Sequence, residues 1–395
     1  MPMLEMGAKA PAEPTERPST GPRAEEATSI RILQRMGPVS LGVSLPRNWV
    51  ASYRLRVGSP VQVRVLPGGS IRLHPGDRGP SGERRFTVEV SSRTLPEHLF
   101  RSLLGAYLAG ASDFEIFQPG GIRPETRGVA RTFGRRTISP QVISEEDERL
   151  HLRDASEASP VSLDKLLGRM GQLVLQLHRD AAETWSRLHA GSGTSWQSRD
   201  DEVDRQAWFI ERSAVRMLDG ELGLLRGPSE GIGPLGCWTV ARSLERIADH
   251  AVRMGEAGTH LAEGAVPPAH LVSLGQFHDQ SLRHLDAVLV ALGEGTGAEA
   301  NELLDAGEAL HEVARTLSER LFPSAMNAVA MPAASAIALG HILESIDRTV
   351  AYAQDIAQVA LDRALPLTAE SPAEAAGPAS HSSTMRNTQG GSRKK

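Results

Sequence analysis

From Leu235 to Leu261, apolar side chains at Leu235, Trp238, Ala241, Leu244, Ile247, Ala251, Met254 and Leu261 recur at helical spacing. A stretch with that pattern has to bury one stripe of a long helix against other elements. Within it, Leu244-Glu245-Arg246-Ile247-Ala248-Asp249-His250 sets two carboxylates four residues apart, so both project from one side of the helix, beside the buried stripe. A second acidic group, Asp200-Asp201-Glu202 with Asp204, stands at the start of the preceding helical stretch. Like charges one turn apart destabilise a helix by about a few tenths of a kcal/mol. Something must offset that repulsion.

The same period governs everything after residue 162. Six helices are expected over about 162–189, 199–222, 234–262, 268–292, 298–321 and 333–363, with breaks that contain Gly or Pro. The third overlays the sixth at an offset of 99 residues, which aligns Leu244-Glu245 with Leu343-Glu344 and Ile247 with Ile346. The second overlays the fifth at an offset of 104, placing Asp201 on Asp305 and Asp204 on Glu308. An all-α bundle of two three-helix repeats, 162–262 and 268–363, is the reading. Arg348 stands where the first copy has Asp249, so the acidic pair of the second copy is replaced by a carboxylate beside a built-in cation.

Ahead of the bundle, 84–159 mixes periods. Phe86–Val90, Phe114–Phe117, Val142–Ser144 and Leu150–Leu152 read as strands, and Pro96–Ala109 and Pro124–Phe133 as helices, the pattern of a small α/β connector. Residues 28–76 alternate as strands do, with Val39, Leu41, Val43 and Leu45 on one face, then Val61, Val63 and Val65, then Ile71 and Leu73 after the turn Pro67-Gly68-Gly69-Ser70. A short helix after Pro46 carries Trp49, expected as core. So small a module makes a thin core, and pairing with a second copy, a homodimer, is the expected remedy. Residues 1–27 and 366–395 lack hydrophobic periodicity and are expected to be disordered tails.

Charge is distributed unevenly. Between Thr28 and Gly76 there are seven arginines and no acidic residue, although the whole chain carries a net charge of -5. A basic module on an acidic body implies different partners for the two parts. One cysteine, Cys237, excludes an intrachain disulfide and is expected as a core thiol. With no apolar run of about 18 residues, no membrane insertion is expected, and the reading is a cytoplasmic protein.

Arg199-Asp200-Asp201-Glu202-Val203-Asp204-Arg205 followed by Leu244-Glu245-Arg246-Ile247-Ala248-Asp249-His250 resembles PhoU, the phosphate uptake regulator family, whose fold is two tandem three-helix repeats. Gly37, Ser40, Val43, Leu45-Pro46-Arg47, Trp49, Leu55, Gly58, Val61 and Val63 are similar to the SpoVT/AbrB swapped-hairpin DNA-binding fold. The order of the two resembles archaeal-type PhoU regulators with an N-terminal AbrB-like domain. That resemblance implies a multidomain fold: an N-terminal swapped-hairpin β module, the α/β connector and a PhoU-like bundle. It also implies a DNA-binding transcriptional regulator of phosphate uptake and homeostasis.

Two groups of candidate residues follow. Asp201, Asp204, Glu245 and Asp249 could converge on a divalent metal such as Fe, Mn, Zn or Mg. Equally, a Ser198 N-cap would let the acids of 200–202 favour the helix dipole, and Arg242 and Arg246, three residues before Glu245 and Asp249, could pair with them. His250 points about 100° away from Asp249 and reads as a packing residue. Arg31, Arg35, Arg47, Arg54 and Arg56 are the candidate DNA contacts; the bland alternative is a β-module that only dimerises. No Gly-rich phosphate loop and no Cys/His pairing supports catalysis. A carboxylate-metal oxidase would need Glu-x-x-His pairs that are absent at Glu245 and Glu344. The chain is read as a regulator rather than an enzyme. The competing reading is an adaptor without DNA binding that docks on a phosphate transporter or its signalling kinase.

Overall fold

A computed structural model describes residues 30–65, 71–76, 84–154, 162–186, 195–218, 232–261, 266–322 and 331–365. Both expected tails and the Pro67–Ser70 turn lie outside the described residues. By contact density the chain divides into two units between Pro60 and Val61, inside the segment 28–76.

In the first unit β1 (Gln34–Arg35) pairs antiparallel with β2 (Leu41–Gly42), and α1 (Arg47–Ser52) follows Pro46. The strands are shorter than the alternation of Val39 to Leu45 suggests. No described residue of this unit is buried, and Ile30, Ile32, Met36, Val39, Leu41 and Val57 are exposed. Trp49 is half-buried against Tyr53, with ring centroids 5.5 Å apart, rather than set in a core. About 30 residues cannot enclose an apolar centre of their own.

The second unit opens with the hairpin β3 (Val61–Val65) and β4 (Ile71–Pro75), in register Val63 opposite Leu73. The connector follows: β5 (Arg85–Glu89), α2 (Pro96–Leu108), β6 (Asp113–Phe117), α3 (Pro124–Arg136), β7 (Pro140–Glu145) and β8 (Arg149–Asp154). Its sheet runs β5-β6-β8-β7, parallel in the first pair and antiparallel in the others. Proline at the first helical positions of α2 and α3 gives up an N–H that would lack a partner there anyway. Alternation along β6 sends Phe114 and Ile116 into a core with Leu103, Tyr107, Phe133, Leu150 and Leu152. Asp113 and Glu115 take the other face, where Arg85 and Arg153 hold Asp113 and Arg149 and His151 hold Glu115.

Six helices complete the described chain: α4 (Leu163–Ser186), α5 (Ser195–Leu218), α6 (Pro234–Thr259), α7 (Pro268–Glu294), α8 (Gly297–Leu321) and α9 (Ala333–Ala364). Helix α6 packs on α4, α5 and α9, and α9 packs on α6, α7 and α8. At the 99-residue offset, buried Val240, Leu244, Ile247 and Ala251 of α6 match buried Leu339, Leu343, Ile346 and Val350 of α9. Cys237 is buried in this core. A Cβ on Gly258 would collide with the Thr184 hydroxyl, so the close approach of α6 to α4 needs glycine there. Helix α8 starts with a reciprocal cap between Thr296 and Glu299. Among the described residues no helix is long and apolar enough to cross a membrane.

Candidate functional site

Helix α5 begins at Ser195, a turn earlier than the spacing suggests, because Trp196 is buried in the bundle core and draws the first turn with it. Ser198 therefore lies inside the helix rather than ahead of it, and no acidic residue lies in the first turn. The acids of 200–204 stand further along α5, facing α6. There burial is the largest cause of the raised pKa values of Asp200, Asp204, Glu245 and Asp249; neighbouring carboxylates add to it at Asp200, Asp204 and Glu245, whereas at Asp249 Arg246 and Arg242 oppose it. Asp200 and Asp204 are pushed up to about 6, and Glu245 to about 7. Glu245 therefore titrates near neutrality, and Asp200 and Asp204 in the mildly acidic range.

Two arginines offset the remaining charge. Arg136, the last residue of α3, places one amino nitrogen 3.0 Å from Asp201 Oδ1 and 3.0 Å from Asp204 Oδ2. Its guanidinium stacks 5.3 Å from the Trp208 ring centre and 5.8 Å from that of Phe100, a placement that fixes its plane and adds cation–π attraction. Arg242, on α6 itself, lies 3.4 Å from Glu211 Oε1 and 3.7 Å from Glu245 Oε2. The intrahelical pairing of Arg242 with Glu245 is the one read from spacing. The Arg136 bridge, from an element 65 residues or more away in sequence, is not.

The expected metal ligands are thus distributed over two cations. Asp201 and Asp204 turn to Arg136, Glu245 to Arg242, and Asp249 is exposed. Among the described residues no three His, Cys, Asp or Glu side chains are arranged to hold a metal ion. As placed, the donor set does not form a ready metal cage. What the arrangement can do is take up or release protons near neutrality, and bind or release Arg136 as its charge changes.

A second arginine ties α5 to the connector. Arg212, only 2% exposed, donates to the carbonyls of Tyr107 and Ala111 at 2.7 and 2.6 Å and to Asp154 Oδ2 at 2.7 Å. It sits 4.5 Å from the Tyr107 ring centre, and burial pushes the Tyr107 hydroxyl pKa up. Burying this cation is tolerable because both terminal nitrogens meet acceptors, one of them a carboxylate. Neither Arg136 nor Arg212 stands out in the sequence, since each acts on groups distant along the chain.

In the second half of the bundle Glu344 pairs with Arg253 of α6 at 3.2 Å, so its counter-charge comes from the other half and not from Arg348. His311 bridges Asp347 Oδ1, at 2.6 Å from Nδ1, and Gln354 Oε1, at 2.9 Å from Nε2. Glu308 and His311 carry the Glu-x-x-His spacing, the signal that could have drawn attention to α8 in the sequence. His250 packs near Tyr352, with its Nδ1 3.4 Å from Ser345 Oγ.

In the first unit Arg31, Arg35, Arg47, Arg54 and Arg56 are all exposed. Among the described residues none makes an ion pair; Arg35 donates to the Pro38 carbonyl at 3.3 Å. Arg54 lies just past α1 with φ 51°, a left-handed turn that ends the helix.

Residues 167–258, running from α4 through α6 and including both acidic groups, match the family model described as the PhoU domain. Among solved structures, the crystal structure of PhoU from Pseudomonas aeruginosa is 19% identical over 51% of this chain and 94% of that one, with a TM-score of 0.45. No curated protein matches this chain. The C-terminal body is a helical bundle whose first three helices match the PhoU domain model.

Proposed function

We propose that the chain is a regulator of phosphate homeostasis whose basic N-terminal module binds operator DNA as a homodimer. The observation that carries the regulatory part is the PhoU-domain match over the helices that form the acidic site. The DNA-binding part is supported by five exposed arginines without acidic partners among the described residues, a surface suited to phosphate backbone. The exposed apolar residues of 30–60 favour a second copy as the source of the missing core. In this reading, protonation or a cation at the α5–α6 carboxylates loosens Arg136 and alters how the connector is held. Chromatin pull-down of the tagged full-length protein is the test: enrichment at promoters of phosphate-transport genes is expected, weakening steeply as salt is raised in a matching gel-shift assay. No enrichment at any promoter, with the protein recovered on a phosphate transporter or its kinase, would establish the adaptor instead.

A divalent cation at Asp201, Asp204, Glu245 and Asp249 is the second reading, favoured by the buried Glu245 Oε2, which accepts no hydrogen bond among the described residues. It requires Arg136 and Arg242 to give way. Stoichiometric binding of Fe, Mn, Zn or Mg, strengthened in Arg136→Ala, is its signature; absence of binding in both proteins removes it.

A further inference from the structure

A cavity of about 410 Å³ opens between α6 and α9. Helix α6 contributes Trp238, Arg242 and Arg246, each one turn from the last, together with Ser243; α9 contributes Tyr352 and Asp355. Several polar groups in this lining form no hydrogen bond or ion pair among the described residues. Arg246 is exposed and makes none, Asp355 makes none, the Tyr352 hydroxyl makes none, and neither does the hydroxyl of Ser243, which is only 5% exposed. Arg242 has Glu211 and Glu245 at 3.4 and 3.7 Å. Apart from Ser243 these groups reach solvent, and polar groups that line one concavity without protein partners are free to meet a ligand there.

We propose that this cavity binds a guanine nucleotide, with its phosphates on Arg242, Arg246 and Ser243 and its base between Trp238 and Tyr352, read by Asp355. Each part follows from the lining. Two guanidinium groups one turn apart, with a hydroxyl between them, suit a phosphoryl anion. The volume is far larger than a bare phosphate needs and falls in the range of sites for organic ligands. Two aromatic rings offer a planar base a stacking surface. A carboxylate can only accept, so it favours the base edge that presents two neighbouring N–H groups, which guanine has and adenine lacks. Burial raises the pKa of Asp355, as expected for a carboxyl group with no protein donor.

The lining is not repeated at the equivalent positions of the other half. At the 99-residue offset, Trp238, Arg242, Ser243 and Arg246 correspond to Ile337, His341, Ile342 and Ser345, and Tyr352 and Asp355 to Arg253 and Glu256. The proposal does not rest on the regulatory reading: it concerns binding to the purified chain, whereas that reading is decided at promoters.

Calorimetric titration of the full-length protein with GDP, ADP and inorganic phosphate tests it. One GDP per chain is expected, with ADP and phosphate each weaker by about tenfold or more, as for a site whose polar group loses its partner. Arg246→Ala should weaken GDP by about tenfold or more while circular dichroism and Tm stay unchanged, because Arg246 is exposed. Asp355→Asn should abolish the preference for GDP over ADP and leave ADP affinity within about threefold. The proposal is overturned by no saturable GDP binding at millimolar concentration, by phosphate binding as tightly as GDP, or by parent-like GDP binding in both variants.

Discussion

Helices α5 and α6 meet through carboxylates held by arginines, whereas α8 and α9 meet through a local polar trio, His311, Asp347 and Gln354. At the offsets of 104 and 99, His311 and Asp347 correspond to Ala207 and Ala248, both fully buried. One seam is closed by alanines and places its charge further out; the other closes on its own acid and imidazole. The first keeps excess negative charge because Arg136 arrives from the connector and Arg242 stands on α6 itself. The half of the bundle with the unbalanced acids is also the half that the connector grips, through Arg136 and Arg212. Charge on α5–α6 is therefore positioned to be felt outside the bundle, and charge on α8–α9 is not.

Removing the grip should have the largest effect. Arg212→Ala leaves Asp154 with one fewer cation and two carbonyls without their donor, a loss of about 3–5 kcal/mol by denaturant unfolding. Hydrogen exchange should accelerate in the connector more than in α8 and α9; equal acceleration everywhere would break the comparison.

The seam shared by the halves should respond to acid. His178 of α4 stacks on His278 of α7 with ring centroids 5.6 Å apart, and burial pushes their pKa values down to about 3 and about 4. Both lie below the unfolded value, so their contribution is full above about pH 6.5 and is lost as pH falls through the range to 4 and 3. The advantage of the parent over His278→Leu should shrink by about 1–2 kcal/mol between pH 7 and pH 5. A difference that does not change with pH would mean that the pair is not held neutral.

The smallest effect separates the two equivalent glutamates. Glu245 has its pKa raised to about 7, chiefly by burial, so its folded-state value exceeds the unfolded one. The sign is then opposite to that of the histidines: its stabilising contribution exists at low pH and is lost as pH rises through 7. Glu245→Gln should stabilise the protein by about 1 kcal/mol at pH 8, after allowance for solvent screening, with the gain gone by pH 5. Glu344→Gln loses the half-exposed pair with Arg253 and should be neutral or slightly destabilising, by about 0–1 kcal/mol, at either pH. Parallel responses in the two variants would show that the halves are not electrostatically distinct.

Much of the architecture was legible because helices and strands write their burial into sequence at fixed periods. Helix α6 begins at Pro234, where the apolar stripe does, and α9 ends within a residue of the expected position. In the connector the six elements fall within a few residues of their expected spans. Boundaries failed where a tertiary contact intervened, as at Ser195, where buried Trp196 extends α5 past the apparent Ser198 cap. Trp49 was misplaced for a related reason: an aromatic in a module this small has no neighbours to cover it within one chain.

The acidic site was half legible. Spacing identified Asp201, Asp204, Glu245 and Asp249 and the neighbouring Arg242, since residues one turn apart must share a helix face. Spacing could not supply Arg136, Arg212 or the Arg253 partner of Glu344, or the way Asp200 joins the cluster across the α5–α6 seam. The sequence by itself determined which helices form, which stripes they bury and where the acids concentrate, because those follow from local period and charge. Only the tertiary structure decided which cation answers each acid, because a guanidinium finds its carboxylate through the packing of elements far apart in the chain, and no local rule encodes that distance.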